Sequence, residues 1–514
     1  MKTQEAAAAP PARISSNVIA NYAGRVWSIG LALALTPLYL KWLGLEAYGL
    51  VGLYATIQSI LTWLDVGISP TLARALAQLS ARDEPQAKQD MRDLVTTFGL
   101  SIGGIGALAG LLLVAVAPLA TRWVSASSLS ATTVTHAVML MGLNVALQWP
   151  TGLLQGGLMA LERQVQGNLV SALASTLRAA ITLCTLLLLS RRIELFFLGQ
   201  ALGAGLGTAA TALLLSRCLP SSATRGRFRK DLFVLHWRFA AGMTGTAVTT
   251  VLATQVDNLA LSRFVPLAEF GSYSLARTIS NSISNISSAL VSAFYPRYCK
   301  QVEAGSSEGL AAFYHLTAQA MSVLCLSTCL TVAAFAPELV FLWTGDLQMS
   351  LKVAPALRLL AFAGAIQSTF VLPYYLQLAH GWTRLTLTNN LLTLALTAPV
   401  TLFLAWRYGA VGAAASSIVF NLLYASFYIP RMHRQILPAE LRRWLTDDIL
   451  SPAAGAAAVV VCARLLWPAG QQRWAIALGL ALVGGCALVS SAALSRRVRA
   501  LALRKLRALP GWSA

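Results

Sequence analysis

The chain has 514 residues, of which 56% are hydrophobic and only 11% charged, and its mean hydropathy is +0.64. Because a soluble domain carries about a quarter charged residues, this composition excludes a soluble globular protein and predicts an integral membrane protein. The net charge of +20 would suit a nucleic-acid partner, but the bases lie in short loops between apolar runs, which excludes that class and indicates residues that fix topology and meet anionic lipid.

Apolar runs long enough to cross a bilayer follow one another along the chain. A hydrocarbon core of roughly 30 Å needs about 20 apolar residues per helix, so an all-α integral membrane protein with about 14 transmembrane helices is predicted. The predicted spans are 17–40, 47–70, 93–118, 134–160, 167–189, 194–216, 238–262, 269–294, 313–335, 354–379, 384–406, 409–430, 447–467 and 473–494. No cleavable signal peptide is expected before the first span.

A sequence phrase of the first half recurs in the second half. Leu45–Ile57 reads LEAYGLVGLYATI, and Leu267–Ile279 reads LAEFGSYSLARTI. Such a repeat predicts a transporter with two pseudo-symmetric six-helix lobes, followed here by two C-terminal helices. The predicted division is a tail (1–16), an N-lobe (17–216), a basic linker (217–232), a C-lobe (233–431), two further spans (432–494) and a basic amphipathic tail (495–514).

The basic residues also predict the orientation. Counted over the predicted loops, Lys and Arg favour the side of the N-terminus by about three to one, which places both termini in the cytoplasm by the positive-inside rule. The linker reads as a hinge or as a plain solvated loop, and the tail Ser495–Leu509 has the helical spacing of an inner-leaflet anchor.

Charged residues inside the first-lobe spans are candidate site residues. Arg25 and Asp65 are predicted at similar depth on adjacent helices, Arg74 follows the second span, and Arg178 lies mid-way along the fifth. An ionisable residue at bilayer depth is by default a functional hypothesis. The alternatives are a structural ion pair, Asp65 with Arg178 for example, or a helix-end anchor.

The second lobe adds a base, an acid and small polar residues. Arg277 lies in a span dense in Ser and Asn, including Asn281 and Asn285, which either line an aqueous groove or bond neighbouring helices. Asp257 can neutralise Arg277 or bind a coupling cation. Because these bases outnumber the acids and guanidinium forks suit diphosphates, an anionic phosphate-bearing substrate is inferred.

Neither a metal centre nor an enzyme is indicated. The seven cysteines and five histidines are scattered, so no metal and no cofactor is expected. There is no phosphate-cradling Gly-Lys-Ser/Thr loop and no GxSxG elbow. The glycine pairs Gly103-Gly104 and Gly156-Gly157 are interpreted as close helix packing.

The stretch from Tyr39 to Gly49, followed by LDVGISPTLAR from Leu64 to Arg74, resembles the opening of Wzx-type polysaccharide flippases of the multidrug/oligosaccharidyl-lipid/polysaccharide exporter superfamily. The resemblance implies two six-helix lobes around an alternately open cavity, and export of undecaprenyl-diphosphate-linked sugar units. It further implies that Arg25 and Arg277 face that cavity. Lys41-Trp42 is an insertion relative to the pattern, and the second lobe lacks an LDxG equivalent, so Asp65 has no symmetric partner.

The sequence thus favours a secondary transporter of a lipid-linked lipopolysaccharide or exopolysaccharide unit in a bacterial inner membrane. It would be driven by the membrane potential or by a coupling cation or proton, and could act beside a polymerase or export complex. The rivals are a cation-coupled drug or metabolite antiporter, which would prefer an acidic cavity, and a membrane-embedded glycan polymerase or ligase, which would need a large outer loop. An inactive scaffold of an export complex is a third alternative.

Overall fold

A computed structural model describes residues 11–507, apart from 65–67, 81, 83, 222–223, 235–250, 252–253, 306, 383, 469 and 471. The described residues are almost entirely helical, which confirms the all-α prediction. They form two compact units, Met1–Val251 and Leu252–Ala514. The predicted division into tails, two lobes, a linker and two further spans stays a prediction.

Besides a short helical stretch at residues 230–234, the described part of unit 1 contains seven α-helices. They are α1 (Pro11–Leu64), α2 (Ile68–Ser80), α3 (Pro85–Trp123), α4 (Ala131–Gln148), α5 (Pro150–Ala160), α6 (Gln164–Cys184) with a π-helical turn at Thr185–Leu189, and α7 (Ile193–Cys218). Trp149 keeps helical backbone angles and Pro150 begins α5, because proline lacks the N–H that would continue the ladder of α4.

Unit 2 contains the remaining helices. They are α8 (254–264), α9 (Leu267–Glu303), α10 (Ser307–Ala334), α11 (Ala336–Thr344), α12 (Leu347–Ala379), α13 (Arg384–Ile436), α14 (Leu441–Arg443), α15 (Ser451–Leu465), α16 (Arg473–Leu494) and α17 (Arg496–Arg507). A π-helical segment, Trp444–Leu450, joins α14 to α15.

Two long helices each bend at a glycine. Gly44 in α1 has φ 82° and Gly409 in α13 has φ 57°, angles that favour glycine because it has no Cβ. Gly44 lies between the predicted spans 17–40 and 47–70, and Gly409 is the first residue of the predicted span 409–430, so α1 and α13 each correspond to two predicted spans. At Gly409 a Cβ would also overlap the carboxylate of Glu269, which accepts the Ala410 N–H at 2.8 Å.

Among the described residues, 10 helices are long and apolar enough to span a membrane, and the protein is a multi-pass membrane protein. The bent helices α1 and α13 supply two of the ten. Most of the predicted span 238–262 falls in residues that the structure does not describe, and α9 covers the predicted span 269–294. The number 14 stays a prediction.

Small residues bring some helices into backbone contact. A Cβ on Gly110 would lie 2.5 Å from the Gly142 carbonyl oxygen, so α3 and α4 touch there. Gly157 packs against Leu215, as interpreted from the sequence. The same interpretation is wrong for Gly103 and Gly104, since a Cβ on either would meet no described residue within 4 Å. Gly104 is exposed and Gly103 is half-buried.

The core of unit 2 contains four fully buried tyrosines, and every one of their hydroxyls has a partner. Buried tyrosine hydroxyls require one because an unpaired polar group in an apolar core costs about 1–3 kcal/mol. The pairs are Tyr273 with Asp257, Tyr298 with Thr317, Tyr314 with His433, and Tyr428 with Gln377.

The described part of the basic linker lies against α3. The Arg227 N–H donates to Asp93 at 2.9 Å, and the Arg229 guanidinium reaches Asp90 at 2.7 Å. The hydrogen bond from Arg229 also lowers the pKa of Asp231. Held by these contacts, residues 224–231 form part of unit 1.

Candidate functional site

A polar cavity of about 140 Å³ lies inside unit 2. Helices α8, α9, α12 and α13 line it, mostly with small hydroxyl and amide side chains. The polar lining includes Thr254, Asp257, Arg277, Ser280, Asn281, Ser284, Gln367, Thr397, Ser416 and Asn421. Three of the predicted second-lobe site residues, Asp257, Arg277 and Asn281, therefore share one cavity.

Arg277 and Asp257 form an ion pair at the edge of this cavity. One guanidinium nitrogen contacts Asp257 Oδ2, and the other donates to the Thr254 carbonyl at 3.0 Å. The carboxylate also accepts from the Tyr273 hydroxyl at 2.5 Å and from the Asn258 N–H at 2.8 Å. With 22% of the Arg277 side chain and 10% of the Asp257 side chain exposed, Arg277 is half-buried and Asp257 is buried. The two charges neutralise each other, which is one of the two roles that the sequence suggested for Asp257.

The other polar residues of α9 divide between lining and packing roles. Asn281 and Ser284 line the cavity, whereas Ser282 donates to the carbonyl four residues earlier in its own helix. Asn285 is half-buried and does not line the cavity. Some polar residues of α9 therefore line the cavity, and others form hydrogen bonds within the helix.

The size of this cavity limits what it can hold. Pockets that enclose a drug-sized ligand measure about 300–1,000 Å³, and this cavity is about 140 Å³. It has room for several waters or one phosphate-sized group, but not for an oligosaccharide diphosphate. In this conformation the cavity of unit 2 is a subsite at most.

A second polar cluster lies within unit 1 around the amide of Gln148. Its Oε1 accepts from Arg178 NH1 at 3.3 Å, from Gln58 Nε2 at 3.2 Å and from the Tyr54 hydroxyl at 3.3 Å. Three donors thus share one acceptor oxygen. The cluster has a surplus of donors and one full positive charge, which is the arrangement that an anion would complete.

Arg178 lies mid-way along α6, packed against α7. A Cβ on Gly203 would lie 2.7 Å from Cβ and Cγ of Arg178, so only glycine leaves room for the arginine stem there. Arg178 Nε is buried with no hydrogen-bond partner among the described residues. No described carboxylate lies within ion-pair distance of Arg178, and the predicted pairing with Asp65 falls outside the described residues.

Of the remaining predicted site residues, Arg25 belongs to α1 and Arg74 to α2. Arg25 belongs to the helical backbone of α1, but its side chain and all of Asp65 lie outside the described residues. On either side of Arg25, Gly24 approaches Asn168 and Ser28 bonds Ser175, so this part of α1 runs beside α6. Arg74 is an exposed residue of α2.

Sequence reasoning missed several polar residues. Tyr54, Gln58 and Gln148 are uncharged, and a search for charges inside apolar spans passes over them. Buried His315 contacts Asp448 and Glu440, more than a hundred residues away in sequence. An amide inside an apolar span was a usable signal for Gln58 and Gln148, whereas no local pattern links His315 to its partners.

Comparison with known proteins adds a family and a fold. A family model described as "polysaccharide biosynthesis protein" matches residues 14–301, more than half of the chain. No curated protein sequence matches the chain significantly.

The structure is similar to the lipid II flippase MurJ in an inward closed conformation, with a TM-score of 0.73 and 10% identity over 95% of this chain and 99% of that one. It is also similar to an inward-facing multidrug resistance MATE family transporter of the MOP superfamily, with a TM-score of 0.65 and 13% identity over 83% and 96% of the two chains. A MOP superfamily transporter from Pyrococcus furiosus, described as having a binding pocket of reverse polarity, gives a TM-score of 0.56 and 13% identity over 84% and 96%. At these identities the likeness establishes the transporter fold.

Proposed function

Because the chain belongs to the polysaccharide biosynthesis protein family, we propose that it flips an undecaprenyl-diphosphate-linked oligosaccharide from the inner to the outer leaflet of a bacterial cytoplasmic membrane. The cargo would be a repeat unit of a lipopolysaccharide or an exopolysaccharide. The observation that carries this proposal at the level of residues is Arg178, a guanidinium inside a membrane-spanning helix with no described carboxylate beside it.

The charge of Arg178 supports an anionic cargo. A lone charge at bilayer depth costs at least about 2.5–3.5 kcal/mol of free energy. A substrate that brings a counter-charge offsets this cost when it binds. A diphosphate supplies that counter-charge and accepts both N–H groups of a planar guanidinium fork. Tyr54, Gln58 and Gln148 would then donate to the remaining phosphate or sugar oxygens.

Arg277 has a different role in this proposal. Since Asp257 already balances its charge, Arg277 is a poor site for a full diphosphate charge. Its remaining N–H donors, with Asn281 and Ser284, suit the neutral hydroxyls of a sugar or a single phosphate oxygen. The lipid tail would remain in the bilayer throughout.

The membrane potential supports the direction of transport. Moving one negative charge from the cytoplasmic to the outer side is favoured by roughly 2.3 kcal/mol per 100 mV when the inside is negative. A coupling proton or cation would add to this drive. Both termini are cytoplasmic in this proposal, and a polymerase or export complex would receive the flipped unit.

We propose transport rather than catalysis as the activity. A cation-coupled drug antiporter is the main alternative, because the fold is shared with a multidrug transporter. A cationic drug would meet unpaired positive charge at Arg178 and only a neutralised carboxylate at Asp257. The charges of both sites therefore favour an anionic cargo.

The test is Arg178→Ala in a strain that lacks the chromosomal copy. We expect surface polysaccharide to fall about 10- to 100-fold, the loss of a charge-assisted contact worth about 1.5–3 kcal/mol, while the lipid-linked precursor accumulates inside. Arg217→Ala, at the exposed end of α7, is the matched control and should export normally. Membrane levels of the variants are equalised by immunoblot.

Each other outcome has a clear meaning. Normal export by the Arg178 variant would remove the diphosphate role from this residue. Absence of the precursor in the deletion strain would indicate an enzyme of precursor synthesis. Loss of drug resistance without any change in polysaccharide would favour the antiporter.

A further inference from the structure

Three ionisable side chains meet in the interior of unit 2, away from the polar cavity. His315 of α10 lies with Nδ1 2.5 Å from Asp448 Oδ2 and Nε2 2.9 Å from Glu440 Oε2. The side chains of His315 and Asp448 are 1% and 0% exposed, and that of Glu440 is 28% exposed. We refer to these three residues as the His315 triad.

The geometry fixes how many protons the triad holds. A neutral imidazole has one N–H and one lone pair, so it can donate to only one of two carboxylates. Here both ring nitrogens face carboxylate oxygens. Either the ring is an imidazolium between two carboxylates, or one carboxyl is protonated and donates to the ring. In both cases the triad binds one proton more than a neutral histidine and two ionised acids would.

Losing that proton would be costly at this position. Without the proton, a lone pair of the imidazole would face a lone pair of a carboxylate. The two ionised carboxylates and the neutral ring would together carry a charge of −2. Since His315 and Asp448 are excluded from water, no solvent shell could replace the lost hydrogen bond. The bound proton therefore holds these three side chains together.

The triad joins α10 to the C-terminal part of the chain. Asp448 belongs to the π-helical segment Trp444–Leu450, and π-helical turns are frequent at functional sites. Its Oδ1 accepts from Gln319 Nε2 at 2.9 Å, and Gln319 Oε1 accepts the Arg497 N–H at 2.9 Å. The contacts thus extend from His315 to the first turn of α17.

Other charged and titratable groups surround the triad. Arg443 lies 4.0 Å from Glu440, and Arg497 donates to the Ala312 carbonyl at 3.0 Å. Arg297 of α9 lies over the Phe313 ring. His433 has Nδ1 on the Ile429 carbonyl at 3.0 Å and Nε2 on the Tyr314 hydroxyl at 3.2 Å. These contacts suit a neutral His433, because a carbonyl accepts only and a hydroxyl can donate.

We propose that His315, Asp448 and Glu440 form a proton-binding site that holds residues 437–450 and the start of α17 against α10 while the proton is bound, and releases them when the proton is lost. The ligand of this site is a proton taken from the aqueous phase at the end of unit 2 where α17 lies. Glu440, the exposed member, is the route of exchange. The site would make the C-terminal segment sensitive to alkalinisation on that side.

The test is hydrogen exchange of the full-length protein in lipid nanodiscs from pH 6 to pH 9, with labelling times scaled for the intrinsic exchange rate. We expect residues 437–450 and 495–502 to lose protection at least about tenfold as pH rises, with the pH dependence of one proton. The middle of α12 should keep its protection. No substrate is added, so the result does not depend on the transport proposal.

Two variants sharpen the test. In Glu440→Gln the amide N–H can donate to the lone pair of a neutral imidazole, so the extra proton is no longer required and protection should stay constant across the pH range. Asp447→Asn changes the adjacent carboxylate, which accepts from Thr446 at 3.1 Å, and should keep the wild-type profile. A flat profile for the wild type, or an unchanged pH dependence in Glu440→Gln, would overturn the proposal.

Discussion

Two arginines inside long helices, Arg277 of α9 and Arg178 of α6, have opposite electrostatic environments. Arg277 contacts a carboxylate that also has two further donors, whereas Arg178 contacts one amide oxygen that it shares with Gln58 and Tyr54. A buried ion pair contributes little net stability while intact, but removing one partner costs about 3–5 kcal/mol because a charge is left unpaired. The same residue type therefore has a structural role at one position and a candidate binding role at the other.

The Arg277–Asp257 pair can be tested by a double-mutant cycle. We expect Arg277→Ala and Asp257→Ala each to lower the thermal transition of the purified protein strongly, and the double variant to lose less than the sum of the two. The measurement is thermal unfolding of detergent-solubilised protein followed by intrinsic fluorescence. Additive losses would mean that the two groups act independently.

At the scale of single elements, the glycine bends divide two long helices into membrane-length pieces. Both glycines have a positive φ, yet their surroundings differ: a Cβ at Gly44 would meet nothing within 4 Å, whereas one at Gly409 would meet Glu269. Both combine a positive φ with an extended ψ, a region that is used almost only by glycine, where the backbone strain of another residue is about 1–3 kcal/mol. Gly409 adds a steric conflict with the side chain that accepts the Ala410 N–H.

Alanine substitution should therefore separate the two bends. Gly44→Ala is expected to cost about 1–3 kcal/mol of stability, and Gly409→Ala clearly more, since Glu269 must move and its hydrogen bond is lost. Relative thermal stability of the two variants in one detergent is the measurement. Equal losses would show that the contact with Glu269 contributes nothing beyond the backbone strain.

The elements also show what could be read from the sequence. The all-α fold and the long apolar helices follow from the apolar runs of the sequence. The break at Pro150 and the bends at Gly44 and Gly409 were not predicted, although each lies at a proline or a glycine. The family model that matches residues 14–301 confirms the resemblance drawn from Tyr39–Arg74. That resemblance could be seen in the sequence because its residues form one continuous motif. The His315 triad and the Gln148 cluster were not predictable, because their members come from distant helices and only tertiary packing brings them together.

At the scale of the whole molecule, the predicted orientation has a direct test. Ala304 and Gly345 lie at opposite ends of the 28-residue helix α10 and the short α11 that follows it. A phosphatase that is active only outside the cytoplasm should be inactive when fused after Ala304 and active when fused after Gly345. The reverse pattern would place both termini outside and would reverse the direction proposed for transport.

The isolated charge of Arg178 has an electrical consequence. If α6 shifts along the membrane normal during a transport cycle, it carries one elementary charge through the field, at roughly 2.3 kcal/mol per 100 mV for a full crossing. A similar shift of the Arg277–Asp257 pair carries no net charge through the field, since the two opposite charges move together. Displacement currents recorded after a voltage step, without any cargo, should therefore be smaller in an Arg178→Gln variant than in the wild type.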